Sequence, residues 1–259
     1  MNNFSRAALV LGGLLLASAA PLSAQDFEWR GSVDRGDNVE IRGINGGIEA
    51  VASSGSQVHV TATKKEGRKG DADDVTIEVV EHSGGVLICA VYPNKPGKEA
   101  NRCSPNDSHM SNHDNDTSVE FRVEVLAGVS LEAGTVNGAI DVRHLDGDVQ
   151  ASTVNGSVSV ESDGNVEAST VNGSIVAKMG QDLKSDLSFE TVNGSVTVEL
   201  PSGANADVKA STVTGGMESD FPLTIQGRFS NRKMNGKIGD GGHELEMSTV
   251  NGAIILRRS

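Results

Sequence analysis

Between Thr135 and Gly252 one tetrad, Thr-Val-Asn-Gly, is written again and again. Full copies begin at Thr135, Thr153, Thr170, Thr191 and Thr249. Thr212-Val213-Thr214-Gly215 is a variant, and Lys233-Met234-Asn235-Gly236 is a degenerate copy that fills the one long gap. The starts are separated by 18, 17, 21, 21, 21 and 16 residues. A unit of this length is one supersecondary element that cannot bury its own apolar face, so neighbouring units have to stack. The recurrence therefore predicts a scaffold before it predicts any chemistry.

Each unit carries apolar residues at alternate positions on both sides of its tetrad. Val149, Ala151, Thr153 and Val154 are followed by Val158 and Val160, and Leu187, Phe189, Thr191 and Val192 by Val196 and Val198. Period two on both sides means two strands per unit, with turn formers such as Leu145-Asp146-Gly147-Asp148 between units. Asn-Gly between alternating strands is also a strong hairpin signal, which makes an antiparallel β meander or barrel the alternative. In such a hairpin Val154 would join Ser152 and Gln150 on the polar face. That position is Val136, Val154, Val171, Val192, Val213, Met234 and Val250 in successive copies. An apolar residue in every copy reads as inward-facing, which makes Asn-Gly a corner.

The expected fold is therefore all-β, a parallel β-helix or β-solenoid with coils of about 16–21 residues stacked roughly 4.8 Å apart. Asn45, Asn137, Asn155, Asn172, Asn193, Asn235 and Asn251 would form an amide ladder along the stack. The Gly after each Asn would supply a positive φ or a close approach of backbones. The frame recurs upstream, where Val39 and Ile41 precede Gly43-Ile44-Asn45-Gly46. Residues 25–130 read as an N-terminal β region with insertions at Lys64–Asp74 and Pro93–Thr117, and 131–259 as the regular repeats. Phe27 and Trp29 are placed to cap an open end of the core.

Residues 1–24 read as a secretory signal peptide: Arg6, an apolar run from Ala7 to Ala20, and a small-residue end at Leu22-Ser23-Ala24. An uncleaved anchor is the alternative, and no later apolar run is long enough to span a bilayer. The expected destination is exported: periplasmic, cell-surface or extracellular. Without Arg6 the chain keeps 21 basic residues against 35 acidic ones, a net charge of −14 that repels nucleic acid. In an exported chain Cys89 and Cys103, the only two cysteines, read as one disulfide, with a catalytic or metal-binding thiol pair as the alternative.

Gly43-Ile44-Asn45-Gly46, the segment Cys89-Ala90-Val91-Tyr92-Pro93 with the later Arg102-Cys103, and the serial tetrads carry a family resemblance. The chain resembles the bacterial "putative adhesin" β-strand-repeat proteins, related to the head GIN domain proteins. The resemblance implies an exported, right-handed, parallel β-helix-like protein. It speaks to fold more than to activity, since its motifs are structural. Thr214 in place of Asn, and Lys233-Met234 in place of Thr-Val, depart from the pattern and would interrupt the ladder locally.

Candidate chemistry is sparse. Asp107, His109, His113, Asp114 and Asp116 lie in one polar segment and form a set that could hold Zn²⁺ or Cu²⁺; Pro105 and the surrounding Asn and Ser favour a solvated loop instead. Asp148, Asn165, Asp186, Asp207 and Glu244 would stack into a row, for which Ca²⁺ is the candidate cofactor and simple solvated turns the alternative. Outward Ser152, Ser169, Ser211 and Ser248, and a second row of Ser157, Ser174 and Ser195, offer hydroxyls to a glycan or an envelope protein partner, with plain solubility of an exposed sheet as the alternative. No Ser-His-Asp order, phosphate-cradling loop or HExxH is present.

The expectation is a non-enzymatic, adhesin-like binding or structural module. The alternative is a polysaccharide-active β-helix enzyme, which predicts an acidic cleft with a perturbed carboxylate pair. A binding module predicts a flat, hydroxyl-rich face.

Overall fold

The computed structural model describes residues 27–105, 110–225 and 232–259; the candidate leader, 1–24, lies outside the described residues. Apart from one 3₁₀ turn, Ala72–Asp74, the regular structure of the described residues is all strand. In chain order the strands are β1 (Phe27–Gly31), β2 (Asn38–Arg42), β3 (Ile48–Ala52), β4 (Val58–Lys65), β5 (Thr76–His82), β6 (Gly85–Val91) and β7 (Ser118–Val125). The repeats add β8 (Ser130–Gly134), β9 (Ile140–Leu145), β10 (Val149–Ser152), β11 (Val158–Ser162), β12 (Val166–Ser169), β13 (Ile175–Met179), β14 (Leu187–Asn193) and β15 (Val196–Leu200). The remainder are β16 (Ala206–Thr212), β17 (Met217–Ser219), β18 (Thr224–Ile225), β19 (Lys233–Ile238), β20 (Glu244–Asn251) and β21 (Ile254–Arg258).

Each coil gives one strand to an eleven-stranded sheet, ordered β18-β19-β16-β20-β14-β12-β10-β8-β2-β6-β5. The next strand goes to a ten-stranded sheet, ordered β1-β4-β7-β3-β9-β11-β13-β15-β21-β17. Pairing between coils is parallel throughout, and antiparallel strands β1, β4, β5, β18 and β19 close the two ends. Neither sheet closes into a barrel, so the solenoid is realised and the meander is not.

Stack order departs from chain order at both ends. The coil β6/β7 packs outside β2/β3, although it follows in sequence. The final coil β20/β21 inserts between β14/β15 and β16/β17. Inward residues of the two sheets meet in one continuous core that includes Ile41, Leu131, Ile175, Phe189 and Leu245. Phe27 and Trp29 are partly buried against it.

The tetrad itself corrects the expectation at one position. The Val residues face outward: Val136, Val154, Val171, Val192 and Val250 are 37–40% exposed and Val213 is 54% exposed. The preceding Thr is the inward residue, 4–6% exposed at Thr135, Thr153, Thr170, Thr191, Thr212 and Thr249. Alternation breaks at the bend, so Val and Asn both point out. A buried hydroxyl needs a partner, and each Thr donates to the tetrad Gly carbonyl of the adjacent coil, Thr153 to Gly138 at 3.0 Å and Thr170 to Gly156 at 2.9 Å. The corner survives as a conclusion because the Asn positions bridge in parallel from Asn45 to Asn193.

The tetrad glycines are there for close approach. A Cβ on Gly156 would lie 1.9 Å from the Gly138 carbonyl oxygen, and the contact repeats at Gly173, Gly194 and Gly252. Among them only Gly46, with φ at 115°, uses the left-handed region. The degenerate copy is not a coil corner. Lys233–Ile238 runs antiparallel to β16, which places Asn235 opposite Lys209, outside the ladder, while Met234 turns inward by ordinary strand alternation.

Candidate functional site

The ladder runs through six asparagines. Asn137 donates its amide to Asn45 Oδ1 at 2.9 Å, and Asn155, Asn172, Asn193 and Asn251 repeat the bond at 2.8 Å, each to the preceding rung. Thr214 ends the series by donating to Asn251 Oδ1 at 2.8 Å. At the other end Asn45 Nδ2 reaches the Asn115 carbonyl at 3.4 Å, and the Tyr92 hydroxyl lies 3.1 Å from Asn45 O and 2.8 Å from Thr117 O. Burial, more than any other influence, pushes the Tyr92 hydroxyl up to about 12. Tyr92 and Asn115 thus anchor the excursion 92–117 to the first rung; the sequence marked them only as part of a motif and a polar loop.

The described part of that excursion, residues 92–105 and 110–117, folds over the outer side of the eleven-stranded sheet. Leu87, Cys89 and Val91 point outward from β6 and are buried with Cys103 beneath it, with Val80 and Met110 packed alongside. Cys89 and Cys103 form the disulfide, with Cα atoms 5.7 Å apart. Arg42 donates to the Ser104 carbonyl at 2.8 Å and pairs with Glu40, tying the cover to the sheet.

Beside the cover opens a cleft of about 230 Å³ lined by Glu40, Arg42, Met110, Glu132, Gly134 and Ser152. Register explains the opening: Gly134 lies between Arg42 and Ser152 on neighbouring strands and has no side chain to fill the row. Glu40, only 7% exposed, stands beside Glu132. Burial raises the Glu132 pKa; the Glu40 charge adds to this and Arg42 opposes it.

Away from the cleft, the first serine row follows stack order as Ser152, Ser169, Glu190, Ser248 and Ser211, with Glu190 as an acidic interruption. The second row is structural: Ser157 Oγ accepts from the Ser174 N–H at 3.3 Å, and Ser174 Oγ from the Ser195 N–H at 3.2 Å. Two further hollows of about 250 Å³ adjoin the cleft, one through Glu132 and the other through Ser152, and share Gln150 and Glu167 with each other, so one shallow groove crosses the face. Strands β8, β10, β12, β14 and β20 carry Glu132, Glu167, Glu190, Glu244 and Glu246 and no Lys or Arg. The opposite sheet balances its charge, with Arg122 and Arg143 on Glu49 and Lys178 on Glu161.

The acidic row has partners other than a cation. Asp148 accepts from the Asn165 N–H at 2.8 Å, Asn165 from the Lys184 N–H at 3.1 Å, and Asp186 from the Glu244 N–H at 2.8 Å. That N–H, with His243 nearby, holds the Asp186 carboxyl below its usual range. Lys237 pairs with Asp207 and Lys209 with Glu244.

Of the candidate metal set, Asp107 and His109 lie outside the described residues. His113 lies 3.5 Å from Asp114. Asp116 accepts from the Lys69 N–H at 2.8 Å, and the N–H groups of Lys69 and Arg68 lower its pKa. Among the described residues no group of three His, Cys, Asp or Glu side chains gathers around a common point.

Fold and surface together define a two-sheet parallel β-solenoid with a disulfide-pinned cover at one end. The chain belongs to the Toastrack DUF4097 family, whose model matches residues 34–257. Several solved structures are similar, and three of them share little sequence identity with this chain. One, described as a "putative cell adhesion protein" from Clostridium sporogenes, is 14% identical over 90% of this chain and 99% of that one, with a TM-score of 0.49. A "putative adhesin" from Bacteroides fragilis is 9% identical over 90% and 96%, with a TM-score of 0.27. Another from Parabacteroides merdae is 10% identical over 89% and 95%, with a TM-score of 0.24. No curated protein matches the chain.

Proposed function

We propose that this chain is a non-enzymatic, adhesin-like module that acts outside the cytoplasm and takes a neutral or amine-bearing glycan along the groove of its eleven-stranded sheet. One observation carries the reading: the groove begins at the pinned cover and runs over Ser152, Gln150 and Ser169 on strands that hold no basic residue. Hydroxyls and amides there suit sugar hydroxyls, and the carboxylates of these strands, Glu132 and Glu167 among them, repel uronate or sulfate groups while attracting amines. The disulfide supports an oxidising compartment, and the leader-like residues 1–24 support export. Among the described residues no helix is long and apolar enough to cross a membrane.

The Glu40 and Glu132 pair is what a polysaccharide-active enzyme would offer. Both residues, however, project from adjacent strands of one sheet, and Glu40 is held by Arg42. Carboxylates on one side of a substrate cannot flank its glycosidic bond. A glycan array run beside a reducing-sugar release assay tests the reading. Neutral or amino glycans should bind, Glu132→Gln should weaken amine-bearing ones, and no sugar should be released. Product release, or selective binding of uronate or sulfated glycans, would overturn it.

A further inference from the structure

Seven large apolar residues are exposed among the described residues, and six form one row. In stack order they are Val136, Val154, Val171, Val192, Val250 and Val213, one per coil, at the corner beside the Asn ladder. Exposed single apolar residues need no explanation, whereas a contiguous row of them does. The strip around the row carries no charge: residues 135–140, 153–158, 170–175, 191–196, 249–254 and 212–217 contain no Asp, Glu, Lys or Arg, in a chain that is 22% charged. Its polar atoms are occupied as well, the Asn amides within the ladder and Ser157 and Ser174 in coil-to-coil bonds. One coil further along, the equivalent Ile44 is only 7% exposed, at the end where the excursion 92–117 brings Met110 beside it. Where the chain has a cover of its own, this row is covered.

We infer that the valine ridge is the contact surface for a second copy of this chain. The ridge repeats at the coil spacing of about 4.8 Å, and a partner that meets all six valines in register must carry the same repeat, which another ridge does. Charge points the same way. A formal net charge of −13 makes two copies repel one another in general, and the uncharged strip is where they can touch with least repulsion. A two-fold axis across the ridge closes the contact into a dimer. Six half-exposed valines and their flanks fall short of the roughly 1,000 Å² of a tight complex, so the dimer is weak, about micromolar or weaker.

Sedimentation velocity of the full mature chain, diluted from about 1 mM to about 1 µM, tests this. Wild type should pass from dimer to monomer across the series, and added salt should favour the dimer by screening repulsion. Val154→Glu/Val171→Glu should weaken association at least about tenfold, while Val176→Glu, the exposed valine on the ten-stranded sheet, should leave it unchanged. Circular dichroism checks that each variant folds. Should the double variant fail to fold, mixing Val171→Glu chains with Val171→Lys chains should restore a dimer that neither forms alone. A wild type that is monomeric throughout, association unaffected by the ridge variants, or binding of neutral glycan to the ridge in place of self-association would overturn the inference.

Discussion

Thr214 donates its hydroxyl to Oδ1 of Asn251 at 2.8 Å, and the donor precedes its acceptor by 37 residues. The bond exists because the last coil of the chain is not the last coil of the stack. Residues 244–258 lie between the coils that hold Asn193 and Thr214, so Thr214 is the terminal rung. An inner rung must donate on one side and accept on the other, which a carboxamide does. A terminal rung only has to donate, and a hydroxyl suffices.

Asn155 donates to Asn137 and accepts from Asn172, whereas Asn235 belongs to no rung. Asn155→Ala should cost about 1–2 kcal/mol, two bonds at roughly 1 kcal/mol each. Asn235→Ala should change little. Parallel thermal or urea unfolding of the two variants reads the difference.

Gly156→Ala would place a methyl group 1.9 Å from a backbone oxygen that cannot move without parting two coils. The expected loss is about 3 kcal/mol. Gly203→Ala meets no atom within 4 Å and should stay within about 0.5 kcal/mol of wild type. Urea midpoints of the purified variants provide the comparison.

Tyr92 is the only tyrosine in the chain, so absorbance near 295 nm follows it alone. Its midpoint should lie near 12 in the folded protein and near 10.0 once the protein is unfolded in denaturant. A folded pKa above the unfolded one means that the contribution to stability is complete below pH 10 and is lost as pH rises through about 12. An alkaline stability series should therefore fall within that window.

Cys89 and Cys103 are separated by 14 residues, and a loop of that size gives about 3 kcal/mol in the chain-entropy model. Reduction should lower the unfolding midpoint. It should also speed hydrogen exchange in 92–117 while the amides of β10 to β15 stay protected, since the disulfide pins the cover and not the coils.

The repeat made the stacked coils legible because core positions and tetrads recur at the same offsets. It misled at Val154, since period-two alternation does not continue through a corner and a buried Thr is recognisable only once its Gly carbonyl partner is in place. Asn235 was misplaced for a related reason: four residues look like a tetrad whichever way the strand runs. The order of the last coils left no mark, as every coil presents the same apolar inner face to its neighbours. The cleft was hidden because it depends on Gly134 standing between Arg42 and Ser152, residues brought together only by register.

The ladder, the ridge and the groove all rest on the intercalated order of the coils, which a pair of double-cysteine variants tests directly. Ile255 is registered against Thr197 on one side and Glu218 on the other. Thr197→Cys/Ile255→Cys puts the new thiols on adjacent strands about 4.8 Å apart, within disulfide reach. Thr197→Cys/Glu218→Cys joins coils consecutive in sequence but two strands apart, about 9.6 Å, beyond that reach. Mass spectrometry of oxidised, digested protein should find the first crosslink and not the second. Ready formation of the second without the first would contradict the intercalated stack.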